Sequence, residues 1–217
     1  MASVAIAQNQ TELRELEQSR QKVLSRSAGN SALKRGVDIL GALVGLIISA
    51  PILAVFGALI YRESKGPVFY KQFRTGKDGR DFTIYKLRSM HLDAEKNGAG
   101  WTTEGDTRCL KIGGFIRRFN IDEVPQFWNV LKGDMSLVGP RPERPEHIVR
   151  LEKEIPRYHD RHAVRPGITG WAQVNGWRGD TDLGERVKCD IEYIEKAGIA
   201  WDFKIMIKTF VNRDNAY

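Results

Sequence analysis

The sequence predicts a mainly helical α+β fold: a proline-broken, re-entrant membrane helix followed by a domain of interfacial amphipathic helices and short β-hairpins. Three observations predict it. The run ILGALVGLIISAPILAVFGALIY, residues 39–61, contains no charged residue. Two β-like runs flank the turn signal GKDGR, and beyond them apolar residues recur at helical spacing between glycine and proline breaks.

With 217 residues, 41% hydrophobic and 28% charged, the chain is an ordinary folded protein of one moderate domain, or one domain plus an appendage. The net charge of +7 and the pI near 9.5 favour anionic partners: nucleic acid, phosphorylated small molecules or an anionic membrane surface. Cys109 and Cys189 lie far apart and neither sits in a C-x-x-C pair. Nothing in that spacing suggests a disulfide framework or a zinc site, and a reducing compartment is the simpler reading.

Residues 1–33 read as a polar N-terminal arm, with a thin leucine stripe in TELRELEQSRQKVL and a linker in SRSAGNS. The membrane segment follows over 34–62. An apolar run longer than about 18 residues can cross a bilayer core. A cleaved signal peptide does not fit, because the run is too long and begins after a charged segment. Pro51, preceded by Ala50, removes a backbone donor and clashes with the carbonyl four residues back, so the helix kinks or breaks there. Positive charge flanks both ends: Lys22, Arg26, Lys34 and Arg35 before the run, Arg62, Lys65, Lys71, Arg74, Lys77 and Arg80 after it. A hairpin with both ends in the cytoplasm satisfies the positive-inside rule at each flank, whereas a single span violates it at one. A kinked single-span anchor and a buried soluble hairpin are the alternatives. On the hairpin reading, residues 63–217 form a domain on the cytoplasmic face.

Within that domain GPVFYKQFRTGKDGRDFTIYKLRSM has a hairpin pattern, and NGAGWTTEGDTR reads as an exposed glycine-rich loop. GGFIRRFNIDEVPQFWNVLKG predicts a helix, a tight junction at the acids and a second helix ending at Gly133. SLVGPRPERPEH must be extended and turned, and HIVRLEKEIPRYHDRH reads as a charged helix. RPGITGWAQVNGW suggests loops and a short strand. The tail WDFKIMIKTFV has an amphipathic pattern suited to core packing or to a membrane surface.

The junction carries two adjacent acids, Asp122 and Glu123. Asp122 suits an N-cap, with Pro125 inside the first helical turn, and that reading needs no chemistry. A pair of acids at a helix end can also share a site, one facing a reacting phosphorus while the other holds a divalent cation. Magnesium favours one or two carboxylates plus phosphate oxygens, and carboxylates are competent nucleophiles toward phosphorus. Lys86, Arg117 and Arg141 are candidates to grip phosphate oxygens. His159 and His162, spaced i and i+3, lack a third ligand and read as a solvated face. Trp171 and Trp177 suit either stacking on a base or sugar, or packing.

The runs YKLRSM, GGFIRRFNIDEVPQFWNVLKGDMSLVGPRPE and VRPGITGWAQVNG, in that order behind the proline-broken segment, resemble the bacterial sugar transferases. These are monotopic phosphoglycosyl transferases, and the likeness covers about Lys34 to the C-terminus in a minimal catalytic form. The resemblance implies Asp122 as nucleophile, Glu123 beside it holding Mg2+, and Lys86, Arg117 and Arg141 at the phosphate-binding site. It also implies Asp190, in CDIEY, as a further acid near the metal. The family's reaction moves a hexose 1-phosphate from a UDP-sugar, here expected to be UDP-glucose or UDP-galactose, to undecaprenyl phosphate. UMP is released through a covalent phosphosugar–aspartate intermediate, the first membrane step of polysaccharide assembly. Partners would be the UDP-sugar, undecaprenyl phosphate and membrane lipid, with a homodimer admitted and nucleic acid excluded, at the bacterial inner membrane. The family's helix breaks at a Ser-Pro pair, whereas here Ala50 precedes Pro51 and Ser49 lies one place earlier. The alternatives are a non-catalytic basic membrane scaffold and a membrane-bound phosphatase using the same acids.

Overall fold

A computed structural model describes residues 31–94, 96, 106–179 and 181–211. Residues 1–30 of the expected arm over 1–33 and most of the glycine-rich loop, 97–105, lie outside the described residues; 31–33 are the cap and first turn of the helix that follows. The long apolar run folds as one helix, α1 (Ala32–Glu63), with Pro51 inside it. Ser31 caps its start by accepting from the Lys34 amide. Ser49 Oγ donates to the Gly45 carbonyl at 2.6 Å, the back-bonding that bends helices and that takes place here without a Ser-Pro pair. Only 11% of its most apolar 18-residue stretch is buried. Leu40, Ile47, Ile48 and Val55 are exposed along it.

Both ends of α1 are tied to the rest of the fold. At the first end Lys34 meets Asp202 at 2.7 Å and donates to the Val138 carbonyl, while Asp38 accepts from Ser136 Oγ and the Leu137 amide. At the second, Glu63 accepts from the amides of Lys111 and Ile112, the open donors at the start of α2 (Lys111–Arg118). Arg88, from the chain after the hairpin, donates to the Ser64 and Lys65 carbonyls.

The hairpin forms as predicted. β1 (Phe69–Thr75) pairs antiparallel with β2 (Asp81–Leu87), in register from Phe69 opposite Leu87 to Thr75 opposite Asp81. The second pair differs from the expectation of hairpins: β3 (Ser136–Val138) runs parallel to β4 (Gly167–Thr169). A parallel pair needs a crossover, and here α4 (Pro145–Glu154) and a 3-10 segment (Tyr158–Ala163) supply it. The charged segment predicted as one helix is thus divided, with Pro156 between the parts. α3 (Gln126–Lys132) ends at Gly133 in a left-handed conformation, as the sequence predicts. The short α5 (Trp171–Val174), then α6 (Leu183–Lys196) and α7 (Ile199–Val211), complete the chain.

Among the described residues the core comprises four clusters. One, built on Ile60, Leu87, Leu110 and Ile116, joins the end of α1 to β2 and α2; another, on Ala42, Ile84, Val130 and Met135, joins its first half to β2 and α3. The close packing of α2 rests on Gly113: a Cβ there would lie 2.0 Å from the Ser89 carbonyl oxygen. Gly114 has open space around it. Gly113→Ala is therefore expected to destabilise by about 1–3 kcal/mol. Gly114→Ala should stabilise by about 1 kcal/mol through helix propensity. Chemical denaturation of the two variants side by side checks both signs.

His162 departs from the solvated face expected of it. It is buried edge-on against the Tyr158 ring, and its Nδ1 finds no partner among the described residues. Burial, followed by the Arg161 and His159 charges, pushes its pKa down from 6.5 to about 3. The unfolded chain therefore binds a proton that the folded chain refuses between those values, and stability falls as pH drops below 6.5. One unit below 6.5 the loss from this residue is about 1.4 kcal/mol. The stability gap between wild type and His162→Phe, measured at pH 7.5 and 5.5, should shift by that amount in favour of the variant at the lower pH. His159, by contrast, is exposed and meets Glu152 at 2.8 Å.

Candidate active site

The two adjacent acids stand at a reversal of the chain. α2 ends at Arg118 with Phe119 flanking it, and Asn120 takes a left-handed φ of 55°, turning the backbone into the 3-10 segment Ile121–Glu123. Asp122 makes no capping bond; the residue flanking α3 is Pro125. Capping therefore does not explain Asp122.

Two basic residues, Lys86 and Arg141, are brought to this turn by other parts of the chain. Asn129 of α3, fully buried, donates to the Thr83 carbonyl at 2.6 Å and accepts from the Tyr85 amide at 3.1 Å. That fixes α3 against β2 and sets Lys86 beside Glu123, Nζ to Oε1 2.7 Å. Arg141 arrives on the Gly-Pro-Arg-Pro segment after β3 and grips Glu123 with both terminal nitrogens, at 2.6 and 3.2 Å. Its segment is held close to β4 because Gly139 and Gly167 leave no room for a Cβ: at Gly139 one would meet the Arg165 carbonyl at 2.4 Å. Behind it, Arg161 donates to the Arg141 carbonyl at 2.7 Å and to Asp190 at 2.8 and 3.0 Å, while Arg186 meets Glu143 at 2.8 Å.

Lys86, Arg117, Asp122, Glu123 and Arg141 all line one cavity of about 840 Å³. Asp190 does not. Its carboxylate, 1% exposed, is committed to Arg161, and so it stands behind the site as that residue's counter-ion. Trp171 packs against Trp201 and donates to Glu192, the packing outcome of the two weighed for it. Sequence reasoning missed Asn129, Glu143, Arg161 and Arg186. The only local signal was the density of arginine in RPER and RYHDR, which is equally common on solvated surfaces.

The two acids differ in state. Burial pushes Glu123 up, but Arg141 and then Lys86 outweigh it and hold the carboxyl well below the usual range. Asp122 forms no ion pair among the described residues. Burial, against the pull of Lys86, raises it to about 6. Burial likewise lowers Lys86, with Glu123 opposing, and Glu123 raises Arg141. The arrangement is one carboxylate locked between two cations beside a second that is buried, unpaired and at the cavity wall. No group of three or more metal-ligating side chains occurs among the described residues. The donor set still fits magnesium, which commonly takes one or two carboxylates and completes its shell with phosphate oxygens and water.

Over residues 29–213 the chain matches the family described as bacterial sugar transferase. It is 47% identical over 179 residues to an Aeromonas hydrophila protein named UDP-N-acetylgalactosamine-undecaprenyl-phosphate N-acetylgalactosaminephosphotransferase, covering 82% of this chain and 42% of that one. It is 42% identical over 195 residues to the UDP-glucose:undecaprenyl-phosphate glucose-1-phosphate transferase of Escherichia coli (strain K12), covering 86% and 42%. An exopolysaccharide production protein PSS of Rhizobium leguminosarum bv. phaseoli is 41% identical over 192 residues, covering 83% and 94%. The chain thus spans about two-fifths of the first two relatives and nearly all of the third.

Proposed function

The chain belongs to the bacterial sugar transferase family, and from that membership we propose that it moves a sugar 1-phosphate from a UDP-sugar to undecaprenyl phosphate at the cytoplasmic face of the inner membrane. The observation that carries the reading is the contrast between the locked Glu123 and the unpaired Asp122 on one cavity wall.

In the proposed reaction an Asp122 carboxylate oxygen attacks the β-phosphorus of the donor. The bond to the oxygen bridging the two phosphates breaks, and UMP departs with its electron pair. An acyl phosphate then links Asp122 to the sugar. A phosphate oxygen of the lipid attacks the same phosphorus, the bond to Asp122 breaks, and the carboxylate is regenerated. Lys86 and Arg141 keep N–H groups beyond those given to Glu123, and with Arg117 these offset charge on the phosphoryl oxygens. Glu123, with Asp122 beside it, is the residue that would hold Mg2+, which when bound supplies charge neutralisation at the diphosphate.

We also read α1 as re-entrant and α2 and α7 as interfacial. Both ends of α1 contact the same body of the protein, through Lys34 at one end and Glu63 at the other, which supports placing both on one side of the membrane. Exposed Phe115 on α2 and Phe119 at its end, and Phe203, Ile207 and Phe210 on α7, suit a membrane surface. In a background with Cys109 and Cys189 changed to serine, Leu33→Cys and Lys65→Cys should react with an impermeant maleimide from the same side of a sealed vesicle. Labelling from opposite sides would indicate a single span.

The sugar is open to a direct assay. The two transferases above are named for N-acetylgalactosamine and glucose. UMP release is measured on protein in nanodiscs with magnesium and UDP-glucose, UDP-galactose or UDP-N-acetylgalactosamine. Repeated turnover that needs undecaprenyl phosphate is expected with one donor; turnover without the lipid would mark a phosphatase, and silence with every donor a scaffold.

A further inference from the structure

Most cations around the cavity already have an acid. Lys86 and Arg141 share Glu123, Arg186 has Glu143, and Arg74 reaches Glu143 at 4.0 Å and Gln72 at 2.7 Å. Arg178 lines the same cavity and lacks such a match. It sits in a tight loop after α5, between Gly176 and Gly179, whose φ values of 90° and 60° are left-handed. Its amide donates to the Gly176 carbonyl at 3.0 Å, and its Nε donates to the Gln173 carbonyl at 3.1 Å. The backbone and the guanidinium are therefore each held at one point. Among the described residues no acceptor takes either terminal nitrogen.

We propose that Arg178 is a phosphate-binding residue of this cavity, its pinned guanidinium offering two terminal nitrogens to the oxygens of a phosphoryl group. The inference rests on the proposed phosphoglycosyl transfer and adds to it a residue from the loop after α5, on the wall of the same cavity. A guanidinium presents a planar fork that fits phosphate bidentately, and fixing it through Nε before the ligand arrives lowers the ordering cost. The charge balance agrees. Burial and the Arg141 charge both disfavour protonated Arg178, and Glu123, already engaged by two cations, is the acid opposing them. An incoming phosphate relieves that imbalance. Two sources carry the chemistry: the diphosphate of the nucleotide donor and the monophosphate of the lipid acceptor.

The test measures binding, so it does not depend on turnover. The full chain in nanodiscs is compared as wild type, Arg178→Gln and Arg178→Lys, with UDP, uridine, undecaprenyl phosphate and undecaprenol as probes and thermal unfolding as the check on folding. If the donor diphosphate is the ligand, Arg178→Gln weakens UDP about 10- to 100-fold and leaves uridine unchanged. If the lipid phosphate is the ligand, the same loss appears for undecaprenyl phosphate against undecaprenol, with UDP unaffected. Arg178→Lys, keeping the charge without the fork, should fall between wild type and Arg178→Gln in whichever arm responds. Equal affinities in both arms, or equal losses for the phosphorylated and unphosphorylated probes, overturn the assignment while leaving the transferase reading in place. A wild type that binds neither UDP nor undecaprenyl phosphate overturns both.

Discussion

Asp122→Asn is expected to abolish turnover, by more than about 10³-fold, while leaving the protein as stable as wild type or more so. The carboxamide keeps the shape of the side chain but cannot form the bond to phosphorus. Losing a covalent nucleophile typically costs about 10⁴–10⁶ in rate. The stability half of the prediction comes from the electrostatics. Asp122 is buried with no ion pair among the described residues, and burial raises its pKa. Its charge at neutral pH is therefore a cost to the fold, and a neutral amide removes it. Glu123→Gln should lose activity too, but with the opposite effect on stability. It leaves Lys86 and Arg141, 2.7 and 2.6 Å away, as cations without their acid. The outcome to look for in urea melts of both variants is a split in sign between neighbours in sequence. A common sign would mean that the division of labour between the two acids is wrong.

The second large effect is expected away from the cavity. Asp190 and Arg161 are buried almost completely, with side chains 1% and 2% exposed, and Asp190 accepts both contacts from the guanidinium. Burial raises the Asp190 pKa to about 6 against the pull of Arg161. Unlike Asp122, Asp190 has a buried cation as its partner, and against the cost of burial it holds the Arg161 guanidinium above its ordinary pKa. Removing the acid leaves that charge uncompensated, so Asp190→Asn should destabilise by about 3–5 kcal/mol. Replacing both with apolar residues of similar volume, Arg161→Met with Asp190→Leu, should recover most of that. Activity should not return with it, because Arg161 also holds the carbonyl of Arg141, and Arg141 grips Glu123. The magnesium concentration giving half-maximal rate separates this role from metal binding. It should be unchanged in Asp190→Asn assayed well below its melting temperature, and a large rise would return Asp190 to the metal.

What was legible in the sequence is what neighbours along the chain determine. The apolar run of α1, the hairpin around GKDGR and the helix ending at Gly133 are each written in a few adjacent residues. The acid pair was visible for the same reason, as two carboxylates at a helix break. Long-range pairing was not. β3 and β4 have three residues each and lie far apart in sequence, too short for periodicity to signal a partner. Asn129 reads as an ordinary helical polar residue until β2 lies against it, and Lys34 as a flanking charge until Asp202 meets it. His162 looked solvated because its segment is highly charged, yet the 3-10 turn points it inward under Tyr158. Asp190 is the site residue whose surroundings were least legible. A family motif transfers the identity of a residue, but where its carboxylate points depends on Arg161, 29 positions earlier.

The central claim is that Asp122 becomes covalently bonded to the phosphosugar. The direct measurement is the intact mass of the protein in detergent with magnesium and each UDP-sugar, without lipid acceptor, followed by peptide mapping. The expected result is a gain of one phosphosugar on the peptide containing Asp122, lost when undecaprenyl phosphate is added and absent in Asp122→Asn. An adduct on another residue, or lipid-dependent turnover that persists in Asp122→Asn, would contradict it.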